Sequence, residues 1–174
     1  MNAPHWSIVP AGEWADPLAF IEAQHEQQRL LCDWLADVCH RMDVDALMTN
    51  ATLLLDYLKG ELGRHVRDEE DALFPALRKR CLSEDGVGGI LGQLSEEHGL
   101  DEDIVAFLIS DLTPLAKGVR PANPTRLFIN ARAFAETHRR HLNWENRVVL
   151  PLARARLTEA DLEALGRAFR SGVR

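Results

Sequence analysis

The sequence predicts an all-α fold, an antiparallel up-down-up-down four-helix bundle with a short fifth helix at its C-terminal end. Apolar residues recur at helical spacing along four long segments. Short connections separate these segments, and no alternating β pattern of useful length occurs. With 174 residues, 46% of them hydrophobic, the chain is long enough to bury a core as one domain.

Helix-starting and helix-breaking residues set the limits of the predicted helices. Asp16 and Asn123 each precede a proline, and an N-cap residue followed by proline typically begins a helix. Asp43 or Asp45 caps the second helix, in which Pro75 predicts a bend. In chain order, the predicted long helices cover approximately residues 17–42, 43–80, 87–112 and 124–157.

A loop follows the third predicted helix, and a last short helix follows the fourth. Pro114 is a stop signal, and residues 116–122 contain both glycine and proline. Thr158 and Asp161 form a capping-box variant that opens the short helix. We therefore expect an irregular N-terminal lead over residues 1–15, the bundle over 16–157, and a C-terminal helix and tail over 158–174.

Composition and charge argue against several classes of protein. Lys and Arg number 20 against 27 Asp and Glu, a formal charge of −7, so we expect no nucleic-acid partner. No apolar run approaches the roughly 18 residues of a membrane span. The N-terminus lacks the basic and apolar regions of a signal peptide, so we expect no membrane association and a cytoplasmic location.

The chain has three cysteines, Cys32, Cys39 and Cys81, and no CxxC pair. They therefore predict neither a disulfide framework nor a thiolate zinc site.

The second and fourth helices contain an internal repeat. The segments RHVRDEEDALFPALRKR (64–80) and RHLNWENRVVLPLARAR (140–156) align without gaps. Both contain His-x-x-x-Glu, and residues four apart on a helix point in similar directions, about 6 Å apart along the axis. Each helix can therefore offer one imidazole and one carboxylate to a metal ion, and the residues are His65 with Glu69 and His141 with Glu145.

Each of the other two long helices places a histidine at the same height. Two residues on neighbouring antiparallel helices lie at the same height when one is about as far from the end of its helix as the other is from the start of the next. This holds for His25 with His65, and for His98 with both His65 and His141. Neighbouring pairs differ by less than roughly 8 Å along the bundle axis, at about 1.5 Å per residue. The four histidines are therefore predicted to lie in one layer. His5, His40 and His138 are expected not to bind metal.

The types of side chain in this layer narrow the choice of metal. Most residues beside the histidines on their helix faces are apolar, and buried imidazoles and carboxylates are costly unless they are paired or bind a metal. Imidazole and carboxylate without thiolate suit iron, manganese or zinc. A lone structural zinc needs only four ligands, so the surplus favours two ions, with iron as the expected metal. A ferritin-like site is disfavoured because Glu22-x-x-His25 has no second copy.

The sequence resembles the hemerythrin-like HHE cation-binding domains over about residues 16–157. The resemblance rests on His25, HVRDEEDALFP (65–75), EEHGLDEDI (96–104) and HLNWENRVVLP (141–151). It implies a four-helix bundle with two iron ions, Fe2+ or Fe3+, that an oxo or hydroxo group can bridge, with zinc or manganese as substitutes. The implied imidazole ligands are His25, His65, His98 and His141, and the implied bridging carboxylates are Glu69 and Glu145.

The sequence differs from the oxygen-carrying hemerythrins at two positions. They have His-x3-His in the third helix, where this chain has His98-x3-Glu102, and an aspartate five residues after the last histidine, where this chain has Glu145 at four. Glu102 is either an additional ligand or a water-facing side chain. This pattern resembles the variant with four histidines and two glutamates, found in hemerythrin-like proteins linked to iron sensing, nitric-oxide response or iron-sulfur-cluster repair.

The resemblance implies a metal-binding protein that senses, stores or handles iron, dioxygen or nitric oxide. Its partner would be a small diatomic or peroxide ligand, and the sequence identifies no protein partner. Two alternatives remain open: a di-iron enzyme, either peroxidase- or NO-reductase-like or acting in iron-sulfur-cluster repair, and a metal-stabilised interaction module without a redox role. We expect binding rather than turnover of an organic substrate.

Overall fold

The computed structural model describes residues 15–171, which form an antiparallel bundle of four long helices followed by a fifth. The helices are α1 (Pro17–His40), α2 (residues 44–80), α3 (Val87–Ala116), α4 (residues 125–156) and α5 (Glu159–Ser171). Helix α1 packs against α4, and α2 packs against α3. The predicted all-α fold is confirmed, and the described residues contain no strand. Nearly all of the predicted N-terminal lead lies outside them.

Three π-helical turns interrupt the long helices. Helix α2 contains Tyr57–Glu61 and Glu69–Leu73, and α4 contains Glu145–Val149. The last two begin at the glutamates of the internal repeat, and each is followed, after one intervening residue, by a proline, Pro75 or Pro151. A π turn accommodates an extra residue in the hydrogen-bond ladder, and such turns often occur at functional sites. The repeat in the sequence is therefore also a repeat in backbone geometry.

Two predicted helix ends differ from the structure. Helix α3 continues past Pro114 to Ala116, so the expectation that Pro114 stops this helix is wrong. Proline is accommodated in this last turn, and the helix ends just before Gly118, whose φ of 77° is left-handed. Helix α1 ends at His40 instead of Met42, because Met42 itself adopts a left-handed φ of 52°.

Two apolar clusters fill the bundle on either side of a polar layer. Phe134, with Leu31 and Leu54, belongs to one cluster. Phe74, with Ile21, belongs to the other. Ten of the eleven buried polar side chains in the described residues, all except Asn50, come from the stretches between these clusters: Gln24, His25, Gln28, His65, Asp68, Glu69, His98, His138, His141 and Glu145. The clusters shield this layer from water along the bundle axis.

Helix α5 covers one end of the bundle. The Phe169 ring packs on Phe20, with ring centroids 5.9 Å apart, and Leu165 is buried in the same cluster. The guanidinium of Arg80 donates to the carboxylate of Asp161 at 2.7 Å, which ties α5 to the end of α2. No helix among residues 15–171 is both long and apolar enough to cross a membrane.

Candidate metal centre

Four histidines and two glutamates from the four long helices meet in the polar layer. At most 6% of the surface of any of them is exposed. Their donor atoms form two groups, and within each group the atoms lie within 4.8 Å of one another. One group is His25, His65, Glu69 and Glu145, and the other is Glu69, His98, His141 and Glu145. The structure therefore brings together six residues predicted from the sequence, and both glutamates belong to both groups.

The carboxylate of Glu69 lies among three imidazoles. Its Oε1 is 3.4 Å from Nε2 of His25, and its Oε2 is 3.5 Å from Nε2 of both His65 and His98. Nitrogen and oxygen ligands lie about 2.0–2.2 Å from a bound metal ion, which places neighbouring donors on one ion about 3.0–3.5 Å apart. The separations around Glu69 are those of donors that face a shared ion.

Four inward-facing atoms of the centre have no hydrogen-bond partner among the described residues. They are Nε2 of His25, Nε2 of His65, Oε2 of Glu69 and Oε2 of Glu145. A buried polar group without a partner costs about 1–3 kcal/mol. All four atoms are electron-pair donors suited to a cation, so the residues present fit a metal centre.

Each of the four histidines directs its Nδ1 away from the centre, toward an oxygen on another helix. The pairs are His25 with Asn146 at 2.8 Å, His65 with Gln24 at 3.1 Å, His98 with Glu70 at 2.7 Å and His141 with Glu97 at 3.1 Å. Nδ1 is the donor because each partner atom is an amide or carboxylate oxygen. An imidazole held in this way directs the Nε2 lone pair inward, which is the arrangement that binds a metal.

The histidines differ in charge when no metal is bound. Burial lowers the pKa of His65 to about 3, so its imidazole is neutral near pH 7. Burial also acts to lower the pKa of His141, but the carboxylates of Glu145, Glu69 and Glu97 together outweigh it and raise the pKa to about 9. Burial alone would raise the pKa of Glu69, yet the surrounding histidines hold it well below its usual value. A proton on His141 must therefore leave before its Nε2 can bind an ion.

Glu102 and His40 belong to neither donor group. Glu102 is exposed and lines a surface cleft that His98 also lines. His40 is exposed in the last turn of α1, and His5 lies outside the described residues.

His138 is buried beside the centre but is not part of either donor group. Its Nε2 is 2.5 Å from Oε1 of Gln28, and its Nδ1 is 3.3 Å from Oδ2 of Asp101. Its ring stacks on Phe134 and lies nearly parallel to the ring of His141, with centroids 6.0 Å apart. Both ring nitrogens of His138 therefore contact protein oxygens, and its ring packs beside the ring of His141.

Sequence reasoning missed the four outer acceptors. Asp68 and Glu70 stand in an acidic run that is typical of a solvated helix face, yet Asp68 is buried and Glu70 accepts hydrogen bonds from His98 and Ser95. One signal was present in the sequence. Each acceptor is the immediate neighbour of a candidate ligand on its own helix and so lies in the same layer: Gln24, Glu70, Glu97 and Asn146.

An apolar cleft between α2 and α3 leads from the surface to the edge of the centre. It has a volume of about 400 Å³, and its walls include Leu62, Val105 and Ala106. The rings of His98 and His138 also line it, whereas His25 and His65 do not. The half of the centre that contains His98 is therefore the more accessible from this side.

Comparison with known proteins agrees with this geometry. The chain matches the family model of the hemerythrin HHE cation-binding domain over residues 16–153, so it belongs to the hemerythrin HHE family of cation-binding proteins. A search of curated proteins found no match, and a search of solved structures found none. Family membership and the buried donor groups together define a metal-binding protein.

Proposed function

We propose that this protein binds two iron ions in one carboxylate-bridged centre and uses them to bind a small ligand such as dioxygen, nitric oxide or peroxide. The observation that carries the proposal is the pair of donor groups, each with two histidines, that share both glutamates. Two carboxylates common to two groups suit a pair of cations, as in other carboxylate-bridged helical bundles.

In this proposal each pair of histidines would hold one ion, and the two glutamates would be shared by both ions. His25 and His65 would hold one ion, and His98 and His141 would hold the other. Glu69 and Glu145 would neutralise part of the positive charge of both ions. The donor set contains no thiolate, which favours iron or manganese over a soft metal. Iron would supply reversible binding of a small ligand and one-electron redox chemistry.

The surrounding residues would control access to this centre. The apolar clusters above and below the layer exclude bulk water, and the outer oxygens keep each imidazole in its metal-binding tautomer. Each donor group supplies four side chains, fewer than the six ligands common for iron, so room remains for an exogenous ligand. The cleft beside His98 would be the route by which that ligand enters.

Ferrous titration of metal-free protein under anaerobic conditions tests the bridged arrangement. Unmodified protein should bind two equivalents. Glu145→Gln should lose both ions because Glu145 belongs to both groups, whereas His25→Ala should lose the ion of its own group. His40→Ala is the control, because His40 is exposed and outside the centre, and it should retain two equivalents. Two equivalents retained by Glu145→Gln would contradict the proposal.

Blocking the cleft should slow ligand entry without removing metal. Ala106 lines the cleft and is exposed, so Ala106→Trp should fill the cleft without disturbing the core. The rate at which the iron-loaded protein binds nitric oxide or azide, measured by stopped-flow absorbance, should fall several-fold. Asp103→Trp adds an indole to an exposed position outside the cleft and should leave the rate unchanged. Equal ligand-binding rates for Ala106→Trp and Asp103→Trp would show that the ligand does not enter through the cleft.

The same stopped-flow experiment distinguishes binding from catalysis. A stable and reversible adduct is expected. Continuous consumption of peroxide or nitric oxide over many turnovers would instead identify the protein as an enzyme.

A further inference from the structure

The outer hydrogen bonds divide the four histidines into two chemically different pairs. His25 and His65 donate to neutral amide oxygens, those of Asn146 and Gln24. His98 and His141 donate to carboxylates instead, and their partners are Glu70 and Glu97. This division coincides with the division of the ligands into two donor groups. One half of the centre therefore has only amide partners, and the other has only carboxylate partners.

Both outer carboxylates are held in place by further contacts. The second oxygen of Glu70 accepts a hydrogen bond from the Ser95 hydroxyl at 2.9 Å. Glu97 accepts a 3.3 Å hydrogen bond from Gln93, and its carboxylate lies 3.5 Å from the guanidinium of Arg140. No arginine or lysine forms an ion pair with Glu70 in the described part of the chain. Glu70 also makes the shortest of the four hydrogen bonds to Nδ1, at 2.7 Å.

A carboxylate partner changes the imidazole more than an amide does. An Nδ1–H that donates to an anion forms a shorter and stronger hydrogen bond than one that donates to a neutral oxygen. The negative charge draws the proton away from the ring, so Nε2 becomes a stronger electron donor to a bound metal. A stronger donor stabilises a ferric ion more than a ferrous ion. The two halves of the centre should therefore differ in redox potential.

We propose that the iron ion held by His98 and His141 is the first to be oxidised, and that Glu70 is the main positioning residue responsible. This inference rests on the proposed di-iron function. Starting from two ferrous ions, one electron leaves the ion in this half and passes to a one-electron oxidant such as ferricyanide. The second electron leaves the ion held by His25 and His65. The cleft reaches the half of the centre that contains His98 and His141, so an incoming ligand would meet the more readily oxidised ion there.

Spectroelectrochemical titration of the iron-loaded protein tests the inference, because it measures the two one-electron midpoint potentials separately. Glu70→Gln should raise the first potential by about 59 mV, corresponding to a tenfold change in the equilibrium constant, and should change the second much less. Gln24→Glu places a carboxylate beside His65 and should mainly lower the second potential. Glu97→Gln should act like Glu70→Gln but more weakly, since Arg140 already offsets part of the charge of Glu97.

Glu96→Gln is the matched control for charge. Glu96 adjoins Glu97 on α3, is exposed and forms no hydrogen bond to a candidate ligand in the described region. It should leave both potentials unchanged. If Glu70→Gln, Glu97→Gln and Glu96→Gln all shift the two potentials equally, or if none shifts the first, the inference is wrong.

Metal content separates this failure from failure of the proposed function. Unmodified protein with fewer than two iron ions would refute the di-iron proposal itself. Two bound iron ions whose midpoint potentials are unchanged in Glu70→Gln and Glu97→Gln would refute only the proposed difference in potential between the two halves. If Glu70→Gln does not fold, Glu97→Gln and Gln24→Glu still test the first and second potentials.

Discussion

The double variant His65→Ala/His141→Ala is expected to bind no iron, compared with two equivalents for the unmodified protein. His65 belongs to one donor group and His141 to the other, so the variant removes one imidazole from each half of the centre. The remaining histidine and two glutamates of each half would have to compete with water for the ion. Metal analysis after desalting measures the loss directly.

Two further variants make this result specific to the ligands. Alanine in a buried position leaves a cavity that costs several kcal/mol, so His65→Gln/His141→Gln, which better preserves volume, should be measured beside it. Far-UV circular dichroism should show that both proteins remain helical. His138→Gln replaces a buried histidine outside the donor groups and should retain metal. Full stoichiometry in either double variant would refute the ligand assignment.

Removing the metal is expected to lower thermal stability markedly. Without metal, the polar layer contains several buried donor atoms that have no partner. A ligand present at about 100 times its Kd stabilises the folded state by about 2.7 kcal/mol. For a protein of this size, about 1 kcal/mol shifts Tm by roughly 2–4 °C. Each ion bound at that level should therefore raise Tm by about 5–11 °C.

Calorimetry of the iron-loaded protein and of protein treated with a chelator measures this difference. His65→Ala/His141→Ala serves as the control, because the chelator should not change its Tm. An equal Tm for loaded and chelated unmodified protein would show that the metal makes no contribution to folding stability.

The internal repeat explains why the centre was predictable from the sequence. A four-residue spacing places His65 and Glu69 on one helix face, and the helix limits place His25 and His98 at the same height. Errors of a few residues at helix ends, as at Pro114 and Met42, do not disturb this layer because those ends are remote from it.

The outer acceptors were not predictable by the same reasoning. Glu69 and Glu70 are adjacent and chemically identical, yet Glu69 faces the centre and Glu70 reaches His98 on α3. The π turn that begins at Glu69 shifts the register of these side chains, and helical spacing does not reveal where such a turn occurs. Gln24 gave an equally ambiguous signal, since a glutamine beside a histidine is typical of a solvated face.

The iron content of protein purified from iron-replete cells, without added metal, tests the central claim most directly. The account predicts two iron ions per chain, because two donor groups share Glu69 and Glu145. One iron ion per chain or fewer would contradict it.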